Sequence, residues 1–105
     1  MMAGSALALA RSGRWSEARK LLRELDSLAA RQTPLSLHTA VFVAHGHAAL
    51  GDTAQALGWI RRYQPVKDRH FQLHLRCDAP LIPMRSVAGF SALLLIPAPA
   101  GKGGC

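Results

Sequence analysis

With 105 residues, half of them hydrophobic but only 6% aromatic, the chain is long enough for at most one domain, with a core of mainly Ala, Leu and Val. The 13 Lys and Arg residues outnumber the 6 Asp and Glu residues and give a net charge of +7, but the basic residues are scattered and mostly Arg. We attribute this excess first to a GC-rich genome rather than to nucleic-acid binding, because no stacking aromatic side chains accompany the basic ones.

The first third of the chain predicts two helices separated by a glycine. An Ala-rich apolar stretch over about residues 2–12 is followed by Gly13, and glycine often ends a helix in the left-handed conformation. Over about residues 16–30, apolar side chains recur at spacings of three and four, which is the pattern of an amphipathic helix. Thr33 and Pro34 then interrupt the helical pattern.

The next third repeats this arrangement. Residues 37–50 predict a helix that is apolar on nearly all sides, as an inner helix would be, with Ser36 as its N-cap. Gly51 ends this helix, and Asp52 is the predicted N-cap of a fourth helix over residues 53–63.

The pattern changes after Pro65, which is predicted to close the fourth helix. Residues 68–76 predict two turns of helix, residues 78–83 an irregular turn stiffened by proline, and residues 87–96 a last short helix. Residues 96–105 contain too few large apolar side chains to offset the entropy cost of ordering, so we predict a disordered tail.

Two stretches of the chain share a glycine followed five residues later by an alanine. They are Gly13 with Ala18, and Gly51 with Ala56. Each stretch combines the end of an Ala-rich helix, a turn and the start of a second helix. The two stretches lie 38 positions apart. A helix–turn–helix unit that recurs at such a period is typical of stacked helical hairpins, which usually present a surface to a partner.

These residues resemble the tetratricopeptide repeat (TPR), in the form found at the C-terminal end of bacterial multidomain regulators. The family's signature glycine and alanine are matched twice. Its small residue in each first helix is matched by Ala6 and Ala44, and its large residue in each second helix is matched by Leu22 and Ile60. Residues 69–94 also resemble the segment that follows the last repeat in those regulators. The aromatic position late in each first helix departs from the family, since it holds Leu9 and His47.

The resemblance implies an all-α fold of two antiparallel helix–turn–helix hairpins that form a short right-handed solenoid. The expected domain covers residues 1–95, with repeats at about 2–31 and 36–65, a C-terminal helical cap within 66–95 and a disordered tail at 96–105. Two repeats are fewer than a solenoid normally needs for stability. We therefore interpret the chain as the C-terminal part, or a shortened relative, of a larger bacterial signalling or regulatory protein.

The resemblance also implies a non-catalytic scaffold that binds a protein, a peptide or an upstream domain of a longer chain. In the family's geometry one helix face lines a concave groove, and the corresponding residues here are Leu7, Arg11, His38, Val41 and His45. Arg11 would bind an acidic or carboxyl-terminal group. The sequence contains no Gly-rich phosphate loop, nucleophile motif or paired-Cys spacing, so we expect neither enzymatic activity nor a cofactor.

Two other hypotheses compete with the scaffold. The first is a basic helical module that binds RNA or DNA, and it would depend on Arg19, Lys20, Arg23, Arg61 and Arg62. The second is a metal site formed by His70, His74 and Cys77, which would project to one side of a helix. We favour solvent-exposed histidines over this metal site, because the apolar residues between them are sufficient to explain the helix.

The remaining features concern location and association. Two cysteines are too few for a disulfide framework, the first ten residues lack the basic start of a signal peptide, and residues 86–100 are too short to span a bilayer. We therefore predict a cytoplasmic protein without a membrane segment.

Residues 2–9 have almost no polar side, which predicts self-association through the first helix. Trp15 and Trp59 are expected in the core or at its edge.

Overall fold

The computed structural model describes residues 2–63 and 69–95, with side chains from residue 7 onwards. The regular structure of these residues is entirely helical and includes no strand. The described residues form five α-helices: α1 (Met2–Arg11), α2 (Trp15–Ala30), α3 (Leu37–Ala49), α4 (Thr53–Tyr63) and α5 (Arg69–Cys77). Two 3₁₀ segments follow them, Ala79–Ser86 and Ser91–Leu93. The predicted all-α class is confirmed, and the first four predicted helices agree with α1–α4 to within a residue at each end.

The two predicted turn glycines both have the left-handed backbone that stops a helix. The φ angle is 83° at Gly13 and 78° at Gly51, a region that side chains with a Cβ rarely adopt. In each turn the residue after the glycine donates its backbone N–H to a carbonyl five positions back, from Arg14 to Leu9 and from Asp52 to His47, both at 2.9 Å. The two turns therefore close in the same way, as Schellman motifs.

Two side chains cap helices as predicted. The Ser36 hydroxyl accepts a hydrogen bond from the backbone N–H of Thr39 at 3.2 Å, at the start of α3. The Asp52 carboxylate accepts one from the backbone N–H of Gln55, also at 3.2 Å, at the start of α4. Both bonds satisfy an N–H group that has no partner within its own helix.

Helix α3 lies at the centre of the described structure. It packs against α1, α2, α4, α5 and the first 3₁₀ segment, while α1 also packs against α2. This position explains why its sequence is apolar on nearly all sides. The core around it holds side chains from α2 onwards, and its largest fully buried members are Leu22, Val41, Val43, Ile60, Phe71, Leu75, Leu81, Met84 and Phe90.

Several small residues of the helices are completely buried. Ala18, Ala44 and Ala56 have no exposed surface. A Cβ atom at Gly46 would lie 2.8 Å from Cδ1 of Leu22, so any side chain on α3 at this position requires the buried Leu22 side chain to shift.

The C-terminal part differs from the prediction. Residues 79–86 form a 3₁₀ segment instead of an irregular turn, and Leu81 and Met84 anchor it in the core. The predicted helix over residues 87–96 was wrong, because only Ser91–Leu93 form a 3₁₀ turn. The φ angle of 89° at Gly89 interrupts the helical backbone just before this turn.

A buried glutamine supplies the hydrogen bonds that a helix would have made in this segment. The side chain of Gln72 has no exposed surface; its Nε2 donates to the Leu93 carbonyl at 3.0 Å, and its Oε1 accepts from the Leu95 N–H at 2.7 Å. These two bonds hold the segment against α5 without helical geometry. The predicted end of the fourth helix at Pro65 and the predicted tail at residues 96–105 lie outside the described residues.

Candidate functional site

The five residues of the predicted groove lie on α1 and α3, which pack against each other. Helix α5 and the first 3₁₀ segment also pack on α3, and this packing leaves Val41 only 1% and His45 only 7% exposed. Leu7 is half-buried, and Arg11 and His38 are exposed. The open surface is therefore split into a part around Leu7 and Arg11 and a part around His38.

A single carboxylate oxygen joins the elements that cover His45. Oδ2 of Asp78 lies 2.8 Å from Nε2 of His45 and 2.8 Å from Nδ1 of His74, so both imidazoles donate to it. Because His45 is on α3, His74 on α5 and Asp78 directly before the first 3₁₀ segment, this network connects all three. The sequence indicates only part of this network: His74 and Asp78 have helical i, i+4 spacing, but no sequence pattern connects Asp78 to His45.

Burial controls the protonation of His45. Loss of contact with water lowers the pKa of His45 below its ordinary value of 6.5, and this effect outweighs the Asp78 carboxylate, which raises it. Electrostatic interactions with His74 and with the Arg11 guanidinium lower the pKa further. At neutral pH His45 is therefore a neutral imidazole that donates its Nε2–H to Asp78.

The open part around Leu7 and Arg11 is a groove of about 260 Å³. It lies between the end of α1, the start of α2, the end of α3 and the first 3₁₀ segment. Small or rigid side chains line most of the groove: Ala10, Ala48, Ala49, Ala79, Pro80 and Pro83. Three larger side chains complete the lining: Leu7, Arg11 and Trp15. The result is an apolar floor with one cation at its edge.

The two tryptophans have different environments. Trp59 is 5% exposed, as the sequence analysis expected. The expectation for Trp15 was wrong, because it is 44% exposed and forms one wall of the groove. Trp15 is the first residue of α2, directly after the turn, so its ring lies at the end of the helix pair instead of between the helices.

His47 is 6% exposed. Its Nε2 lies 2.9 Å and 3.1 Å from the two carboxylate oxygens of Asp26 on α2. This pair links α2 to α3, and no sequence pattern indicated Asp26 as the partner of His47. Beside it, Arg19 and Arg23 contribute to an open depression of about 520 Å³.

The basic residues of the nucleic-acid hypothesis lie on two helices. Arg19, Lys20 and Arg23 are exposed on α2, and Arg61 and Arg62 are exposed on α4. The guanidinium of Arg62 lies 4.6 Å from the ring centre of Trp59, in a cation–π contact.

The structure changes the composition of the candidate metal site. Cys77 is disulfide-bonded and so does not offer a free thiolate to an ion together with His70 and His74. Instead, His38 of α3 lies beside these two residues. One ring nitrogen from each of His38, His70 and His74 lies within 4.8 Å of the other two.

Comparisons of the chain with protein-family models, curated proteins and solved structures found no match. In residues 2–63 and 69–95, no helix combines the length and the apolar character needed to cross a membrane.

Proposed function

We propose that this chain is a non-catalytic protein-interaction module, built from two TPR-like helical hairpins, that binds an acidic peptide segment of a partner protein. The hairpin arrangement is supported by the packing of α1 on α2, of α3 on α4, and of both α1 and α2 on α3. The matching turns at Gly13 and Gly51 also support it.

The observation that carries this proposal is the groove between Trp15 and Arg11. Its volume of about 260 Å³ lies below the range of about 300–1,000 Å³ that is usual for small-molecule and cofactor sites. A short apolar side chain of a peptide fits an alanine and proline floor of this size. Trp and Arg are the residue types that contribute most often to the binding energy of protein interfaces.

Charge complementarity defines the occupant. The exposed Arg11 guanidinium can donate two parallel hydrogen bonds to a carboxylate. The chain carries a net charge of +7, which attracts acidic segments over a longer range. We therefore propose a peptide in which an acidic side chain or a free C-terminus lies next to a small apolar residue.

The wider context follows from the family resemblance. We propose that the module is the C-terminal part, or a shortened relative, of a larger bacterial signalling or regulatory protein. An upstream domain of such a protein is a second source of the acidic segment.

The test is a selection from a display library of random peptides with free C-termini, using the full chain as bait. Selected peptides are expected to be rich in Asp and Glu or to depend on their terminal carboxylate. Because Trp15 is exposed and Trp59 is buried, tryptophan fluorescence reports the binding directly. Arg11→Ala and Trp15→Ala should each weaken binding at least about fivefold, the loss of about 1 kcal/mol expected of an anchor residue.

Arg31→Ala is the matched control for charge. It removes an exposed arginine at the far end of α2, about 24 Å from Trp15 along the helix, and should leave the affinity unchanged. A selection without carboxylate-bearing peptides, or equal losses in the groove variants and the control, would contradict the proposal. Tight and strongly salt-dependent binding to random oligonucleotides, lost when Arg19, Lys20 and Arg23 are replaced by Ala, would favour the nucleic-acid module instead.

A further inference from the structure

Three imidazole side chains from two helices converge at one place on the surface, away from the groove. His70 and His74 lie one turn apart on α5, with ring centres 5.0 Å apart. The ring of His38, near the start of α3, lies 6.1 Å from that of His70 and 6.4 Å from that of His74. Each of the three residues offers a ring nitrogen within 4.8 Å of the other two.

These distances are close to those of a bound metal ion. Two imidazole nitrogens on one tetrahedral zinc, each about 2.0–2.1 Å from the ion, lie about 3.4 Å apart. Side-chain rotations that bring the nitrogens closer by up to about 1.4 Å would close the remaining gap. His38 and His70 are exposed and His74 is half-buried, so such rotations do not disturb the core.

The contacts of His74 show that the cluster is held in place. Its Nδ1 donates to Oδ2 of Asp78, which leaves the lone pair of Nε2 to bind an ion. A carboxylate on the second nitrogen of a metal-binding histidine is a common arrangement, because it fixes the orientation of the ring and makes the ligand more basic. Asp78 is itself held by His45 at 2.8 Å.

His38 is held by a neighbour on its own helix. The ring of Phe42, one turn further along α3, stacks on it with the ring centres 6.0 Å apart. The orientations of His38 and His74 thus depend on contacts that belong to different elements of the fold.

The ligand type selects the class of ion. Neutral imidazoles bind zinc, copper and nickel, whereas calcium and magnesium require several oxygen ligands. We propose that His38, His70 and His74 bind a divalent transition-metal ion of the zinc class, with solvent at the fourth position, and that this ion fastens α5 to α3. The site is independent of the groove and of its proposed peptide.

The experiment is a titration of the full chain with Zn²⁺ after removal of metals with EDTA, with the disulfide kept intact. Calorimetry is expected to show one ion per chain, and the melting temperature should rise with zinc concentration by mass action. His38→Ala, His70→Ala and His74→Ala should each weaken zinc binding at least about tenfold, since even residues behind the ligands commonly contribute that much. His38→Ala and His70→Ala alter exposed side chains and so preserve the fold.

Two control variants separate this site from its alternatives. Arg69→Ala removes an exposed positive charge on the same helix, so it should bind zinc at least as tightly as the unmodified chain. Cys77→Ala should keep the affinity, because the proposal assigns no role to this sulfur.

Loss of zinc binding in Cys77→Ala together with unchanged binding in His38→Ala would overturn the proposal, because binding would then depend on the disulfide and not on His38. Dissociation constants of a millimolar or weaker for the unmodified chain, or equal affinities for it and the three histidine variants, would also overturn it.

Discussion

Three histidines on α3 show how the same residue type takes on different roles. His47 is buried against Asp26 of α2, His45 is buried against Asp78, and His38 is exposed beside α5. The family resemblance had assigned His38 and His45, seven residues apart on α3, to one groove. Their environments differ because the first 3₁₀ segment and Asp78 cover only the second of them.

The burial of His45 predicts a loss of stability at acidic pH. The folded protein resists protonation of His45, since its pKa is lowered, whereas the unfolded chain binds the proton at the ordinary pKa of 6.5. The free energy of unfolding should therefore fall as the pH decreases below 6.5 and level off below the folded pKa. Asp78, His74 and Arg11 are the charged groups that face this imidazole.

Urea unfolding with EDTA at several pH values between 5 and 7.5 measures this effect. His45→Gln is the informative variant, because its amide can still donate to Asp78 but does not titrate. Its stability should depend less on pH than that of the unmodified chain. The same pH dependence in both proteins would show that His45 does not contribute.

At the scale of elements, the sequence of α3 reflects the elements packed around it. It is surrounded by four helices and a 3₁₀ segment, and it carries a glycine next to the Leu22 side chain of α2. Glycine within a helix usually costs about 0.5–1 kcal/mol relative to alanine. Gly46 is retained at this cost because its missing side chain leaves space for Leu22.

Replacement of this glycine should therefore lower the stability, against the helix propensities. Gly46→Ala places a Cβ atom 2.8 Å from Leu22 in a packed core, and such overpacking typically costs about 1–3 kcal/mol. This cost exceeds the gain in helix propensity. Gly58→Ala on α4 is the matched control, since Gly58 is exposed and has no atom within 4 Å of the added methyl group.

Thermal unfolding followed by circular dichroism compares the two variants. Gly58→Ala should raise the free energy of unfolding by about 0.5–1 kcal/mol and Gly46→Ala should lower it. If both variants were stabilised, Leu22 would be free to move aside and the close approach would not constrain α3.

At the scale of the whole molecule, the described structure covers its two helix pairs unequally. The segment of residues 69–95 packs over α3. In contrast, the only described helices with which α1 makes extensive contact are α2 and α3. Ala8 is exposed, and Leu7 and Leu9 are only half-buried. This uncovered part of α1 is the surface through which we predict self-association.

A single charge on that surface tests the prediction. The unmodified chain should form dimers or larger species as its concentration increases in sedimentation experiments, and Ala8→Glu should remain monomeric because it places a charge in the contact. Ala54→Glu introduces the same charge at an exposed position on α4 and should associate like the unmodified chain. A monomeric unmodified chain at all concentrations, or equal effects of the two substitutions, would exclude association through α1.

The sequence by itself was enough to determine the helices of the first 63 residues, their caps and their turn glycines. Each of these features depends on groups a few residues apart: Ser36 with Thr39, Asp52 with Gln55, and the two glycines with the turns they close. Such local hydrogen bonds are present in the residue pattern before the chain packs.

The tertiary structure alone decided the sites and the C-terminal path. Gln72 replaces helical hydrogen bonds for Leu93 and Leu95, which follow it by 21 and 23 positions. Asp78 binds the imidazole of His45 on α3, 33 positions earlier. His38 meets His70 and His74 only because α5 packs on α3, and Trp15 and Arg11 form a groove only where three helices and a 3₁₀ segment meet. Contacts between distant residues depend on how the helices pack, and no local period in the sequence encodes that packing.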